Sequence, residues 1–169
     1  IQTMWLKFVQ QDFSRVNKYT GLSYFDDPAL ALTLCFNESS LLWDYRTKRG
    51  VPEYYKTLLR RKFSGFLMKK YGNRQNVAKA WAGSAHPLPE GEDPEKGNVT
   101  PLWNWQLNQA GDKPSRRDRD SLLFYYSLQK KFNTEIRGKL KKMGLRTPVA
   151  TTNAGRTPEI MDFTSQNTY

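Results

Sequence analysis

The segment "ALALTLCF", Ala29 to Phe36, most restricts what this chain can become. It is short and apolar at successive positions. Pro28 bounds it on one side and Asn37-Glu38 on the other. Such a run predicts a strand buried on both faces, the kind found in parallel sheets. Parallel strands need helical crossovers, and the flanking sequence supplies them.

Before the run, Trp5, Val9, Phe13 and Val16 recur at steps of four and three, which predicts an amphipathic helix. "NKYTGLSYFDDP" reads as a loop turning at Gly21. After the run, a long helix is expected from Val51-Pro52-Glu53, with Pro52 in its first turn and Gly72 as its stop. Leu59, Phe63, Phe66 and Leu67 form its apolar face. A second, short helix is expected from Gln75 to Trp81. Residues 84–114, rich in Pro, Gly and acids, read as a loop or insertion. A further helix carries Leu122, Tyr125, Leu128, Phe132, Ile136, Leu140 and Met143, and Gly144 ends it. "TPVATTN" and "MDFTSQNTY" read as two more strands. The order implies an α/β fold with parallel strands and an elaborated helical region after the first. A chain that opens in a helix and closes on a strand, with exposed sheet edges, is expected to be part of a larger barrel or sheet.

In parallel α/β folds, ligands bind beyond the carboxyl ends of the strands. Asn37 and Glu38 take that position on the first strand, Asn153 on the second, and Asn167 and Tyr169 on the third. A partly buried Glu can hold its proton near neutral pH and serve as a general acid. The bland alternatives stay open: Glu38 as a helix-start acid, Asn37 as a turn cap. Trp43, Trp103 and Trp105 could line sugar subsites or fill gaps between helices.

Composition narrows the field. Cys35 is the single cysteine, which excludes an internal disulfide, and it reads as a small buried hydrophobe. One histidine, His86, argues against a His-based metal site or a Ser-His-Asp triad, and its Pro-rich setting reads as an exposed loop. No run is long enough to span a membrane, and no N-terminal stretch reads as a signal peptide. The net charge of +11 is the main argument for a nucleic-acid partner. Its basic runs, among them "LLRRKF" and "SRRDRD", interleave apolar residues at helical spacing and so read as solvated helix faces. No zinc-finger spacing, RNP-like run or GXXG loop accompanies them, so a nucleic-acid partner is not expected.

"NKYTGLSYFDDPALALTLCFNESSLLW" resembles the fourth-strand region of clan A glycoside hydrolases, the cellulase-like, family 5-related (β/α)8 barrels. "MGLRTPVATTN" resembles their fifth strand and "DFTSQNTY" their sixth. The resemblance spans most of residues 1–169, apart from the insertion at about 84–114. It implies that the chain is the central part of a TIM-barrel catalytic domain, covering strands four to six. Glu38 would be the acid/base and Asn37 would contact the sugar 2-hydroxyl. Asn153, Asn167, Tyr169 and Trp43 would meet substrate. Tyr169 matches the family's His-x-Tyr pattern, whereas Asn167 stands where His is usual. The partner implied is a poly- or oligosaccharide, with no metal and no cofactor. The nucleophile Glu is expected on a seventh strand, after Tyr169, so these residues alone are not expected to hydrolyse anything. Export in bacteria follows from family habit. The two alternatives are a catalytically inactive carbohydrate-binding barrel and a basic nucleic-acid-binding module.

Overall fold

The structure, a computed structural model, describes residues 2–36, 51–107 and 114–151. Asn37, Glu38, Trp43, Asn153, Asn167 and Tyr169 therefore lie outside the described residues, as does the expected third strand. The chain divides into two compact units, one of residues 1–39 and 129–169, the other of residues 40–128. The described elements are a mixture of helices and two parallel strands, an α/β arrangement.

In the first unit, α1 (Gln2–Phe13) and β1 (Thr33–Phe36) precede β2 (Val149–Thr151). Val9 is buried together with Ile136, Leu140, Leu145 and Val149, and Trp5, Phe13, Cys35 and Phe36 pack against them. Trp5 stacks on Phe36 with ring centroids 5.0 Å apart. Helix α1 ends at Phe13, so Val16 does not continue its apolar face; it is 65% exposed and bridges Ser23. The helical ladder is already lost at Arg15, whose N–H donates to Asp12 O at 3.2 Å, and a turn built on Asn17 follows. The Asn17 Oδ1 accepts from the Tyr19 N–H at 2.9 Å, a local bond that competes with helix. Gly21, at φ 70°, then closes the turn as expected.

The β1–β2 pairing is parallel, with Thr33 opposite Val149, Leu34 opposite Ala150 and Phe36 opposite Thr151. Cys35 is the extra residue, so β1 carries a bulge at its carboxyl end. The strand is not buried on both faces. Thr33 is buried and Cys35 and Phe36 pack on the core, but Leu34 is 48% exposed and outside the hydrophobic cluster. Alternation places Thr33 and Cys35 on one face and leaves Leu34 on the open one, while Phe36, after the bulge, also packs on the core.

In the second unit, α2 (Glu53–Tyr71) and α3 (Arg74–Trp81) are followed by the short α4 (Asn104–Leu107). The helix α5 (Arg116–Lys142) contributes residues to Leu128 here and residues from Gln129 to the first unit. Pro52 is the residue before α2 rather than inside its first turn, with ψ 144°. Gly72, at φ 83°, ends α2 by donating to Met68 O at 2.9 Å. Asn73 then caps α3 through its side chain, which accepts from the Asn76 N–H at 2.9 Å. Leu59, Phe63 and Leu67 recur every four residues and are buried. Phe63 meets Trp81 at 6.2 Å and Phe124 at 5.0 Å. Each such side chain contributes about 1.5–3 kcal/mol on burial.

Residues 84–103 carry no regular helix or strand, yet they are not a loose insertion. Val99, Pro101 and Leu102 are buried. The Val99 N–H donates to Ser64 Oγ and the Leu102 N–H to Ser121 Oγ, each at 3.0 Å. Serines on two helices thus supply the backbone partners that a ladder would otherwise provide.

Candidate functional site

Two places in the structure bear on function. The first is the carboxyl edge of the small sheet. Because β1 and β2 run parallel and Phe36 is opposite Thr151, both strands end at the same edge. In sequence, Asn37-Glu38 follows the first directly and Thr152-Asn153 the second. Cys35, beside this edge, has its thiol pKa raised to about 11 by burial. Half-buried and packed on the core, it behaves as the small hydrophobe expected of it.

The second is an ionic and aromatic cluster in the unit of residues 40–128. Asp120 on α5 is fully buried. Its carboxylate accepts from Lys70 Nζ at 2.5 Å, Tyr71 Oη at 2.7 Å and Trp81 Nε1 at 2.8 Å. Three donors from α2 and α3 are therefore gathered on one acid. Burial, then the hydrogen bond to Asp120 and its charge, raises the Tyr71 phenol well above its ordinary range. With every contact taken by protein and no exposed surface, Asp120 holds the helices together and has no access to a substrate.

Arg117, one turn before it, is 4% exposed and stacks over the Trp81 ring at 4.7 Å. Its Nη1 donates to Pro87 O at 2.8 Å, and its Nη2 donates to Thr100 O at 2.9 Å and Glu92 Oε2 at 3.0 Å. The other Glu92 oxygen accepts from the Thr100 N–H at 3.1 Å. Burial pulls the Arg117 pKa down and Glu92 opposes it, so the guanidinium stays charged and paired. One arginine thus ties two turns of the irregular segment to α5. The expectation of solvated faces fails at Arg117 and Lys70, which point inward to acids.

Beside Arg117 lies a cavity of about 540 Å³. His86, Glu92, Trp103 and Gln106 line it with Pro87, Pro89, Pro101 and Leu102. His86 is therefore not an exposed bystander but a partly buried wall residue. The sequence pattern points to Trp103 but not to Arg117, Asp120, Glu92 or Gln106. A signal existed: Arg117, Asp120, Ser121 and Phe124 lie three, four and seven residues apart, so the apolar stripe of α5 continues through charged positions. Among the described residues no cluster of His, Cys, Asp or Glu is arranged to hold a metal, and no helix is long and apolar enough to cross a membrane.

No protein-family model, curated protein or solved structure matches the chain.

Proposed function

We propose that the chain is part of a (β/α)8 glycoside hydrolase that cleaves poly- or oligosaccharides by a retaining, two-carboxylate mechanism. The observation that carries this reading is the parallel β1–β2 pair, whose shared carboxyl edge directly precedes Asn37-Glu38 and Asn153 in sequence. A barrel binds substrate at that edge. The bulge at Cys35 adds support, since such kinks gather beside active sites and re-aim the residues that follow.

On this reading Glu38 protonates the glycosidic oxygen as the bond to the sugar breaks. It then removes a proton from the water that releases the glycosyl-enzyme intermediate. Asn37 donates to the sugar 2-hydroxyl, a bond that strengthens as positive charge builds on the ring. Asn153, Asn167, Tyr169 and Trp43 complete the sugar contacts. The nucleophilic carboxylate belongs to a seventh strand after Tyr169. Neither Asp120 nor Glu92 replaces it, because both are spent on internal partners.

Lys70 and Arg117 form neutral pairs with Asp120 and Glu92, so the net charge of +11 rests on other residues, and the nucleic-acid alternative is disfavoured only by the lack of a reader motif in the sequence. The test is turnover of β-linked glucans, mannans and xylans by the full-length gene product. Glu38→Gln is expected to lower it by about 10²–10⁴-fold. Equal turnover by wild type and variant, or none by either, contradicts the reading.

A further inference from the structure

We infer that the cavity beside Arg117 is a second saccharide-binding site, one that takes a neutral pyranose unit and uses none of the residues assigned to bond cleavage. Its volume of about 540 Å³ falls in the range of small-molecule sites, about 300–1,000 Å³. Its walls combine an aromatic ring, Trp103, with Pro and Leu side chains and a few polar groups. A pyranose has the same dual character, with C–H faces that pack on rings and a rim of hydroxyls.

The polar groups fit hydroxyls rather than ions. Arg117 is the strong charge on the wall, but Glu92 neutralises it, Glu92 and two carbonyls take Nη1 and Nη2, and its Nε is buried without a partner, so among the described residues lining the cavity the guanidinium is not left open to a phosphate or carboxylate. Glu92 is equally engaged and leaves no anion for a cationic ligand. Gln106 Oε1 accepts from the Trp103 N–H at 2.9 Å, while among the described residues its Nε2 has no hydrogen-bond partner. The His86 imidazole likewise has none among the described residues, and it offers one donor and one acceptor. An uncharged ligand rich in hydroxyls satisfies both.

The walls are also fixed in advance. Arg117 clamps Pro87 and Thr100, and Ser121 holds the Leu102 backbone, so a ligand meets a formed site and orders little on binding. The choice of a sugar among neutral polyols rests on the glycoside hydrolase reading above.

The test is an NMR titration of the 169-residue chain with millimolar cellohexaose, mannohexaose and xylohexaose, following the Trp103 indole N–H and the Gln106 side-chain amide. At least one oligosaccharide is expected to shift both signals saturably. Trp103→Ala and Gln106→Glu should each weaken that binding about tenfold or more. Gln106→Glu keeps an oxygen that accepts from the Trp103 backbone N–H and exchanges the N–H donors for a charged acceptor at nearly constant volume, so a fold defect in the alanine variant does not decide the matter. Silence of both signals toward all three sugars overturns the inference, as does response to adenosine or inorganic phosphate without response to sugar. The hydrolase reading is judged separately. Loss of turnover in Glu38→Gln with a silent cavity sinks this site alone, whereas sugar binding without any turnover sinks only the hydrolase.

Discussion

Lys70 Nζ sits 2.5 Å from Asp120 Oδ1, but the two partners are unequally placed: the lysine side chain is 33% exposed and the aspartate is fully buried. Asp120→Ala lets Lys70 return to water but leaves Trp81 Nε1 buried without its acceptor, which should cost about 2–4 kcal/mol. Lys70→Met leaves the buried carboxylate without its counter-charge and should cost about 3–5 kcal/mol. The double variant should cost less than the sum of the two, because each single change strands the other partner. Urea denaturation of the three variants checks the coupling; additive losses would contradict it.

Tyr71 gives that cluster a pH signature. Its phenol pKa is raised in the folded chain by burial and by Asp120. An unfolded tyrosine ionises at about pH 10. The stability this group adds is therefore fully present below about pH 10 and is lost as pH rises toward the folded pKa. Between about pH 9 and 11, wild-type stability should fall more steeply than that of Tyr71→Phe. Denaturation midpoints of both proteins across that range measure the difference, and parallel curves would refute it.

Cys35 should be slow to react. With its pKa at about 11 instead of 9.0, the thiolate fraction at neutral to mildly alkaline pH falls about 100-fold. Alkylation by iodoacetamide at mildly alkaline pH is expected to be slower by at least that factor in the native protein than in urea. Comparable rates would mean that the thiol is open to solvent.

Ser64 and Ser121 should matter more than surface serines do. Each Oγ is the acceptor for a buried backbone N–H in the irregular segment, of Val99 and Leu102 respectively. Ser64→Ala and Ser121→Ala should each cost about 1–3 kcal/mol, read by thermal or urea unfolding. Hydrogen exchange at Val99 and Leu102 should accelerate in the same variants. Unchanged exchange would show that other groups hold the segment.

Much of this architecture is legible in the sequence where one local pattern decides it. The four-residue steps of Leu59, Phe63 and Leu67 fix α2, and Gly72 and Gly144, at φ 83° and 107°, follow the helices they were expected to end. Local pattern fails where tertiary partners decide. Val16 fits the helical spacing, but α1 ends at Phe13 and Val16 instead bridges Ser23 across the turn that follows. "SRRDRD" has the composition of a solvated face, yet Arg117 and Asp120 fall on the buried stripe and find their counter-charges in Glu92 and Lys70, far off in sequence. The same limit hides the cavity, since His86, Trp103 and Arg117 come together through long-range contacts that include serine-to-backbone bonds and an arginine clamp. The residues on which the sequence reading placed catalysis, Asn37 and Glu38, follow a strand whose parallel partner was also anticipated.

The central claim is that Glu38 donates the proton to the departing sugar, and leaving-group dependence tests it most directly. For the full-length gene product, first-step rates of wild type and Glu38→Gln should be compared on unactivated oligosaccharides and on a dinitrophenyl glycoside, whose leaving group needs no proton. A general acid predicts a loss of about 10²–10⁴-fold on the former and nearly none on the latter. An equal loss on both substrates, or no loss on either, would contradict it.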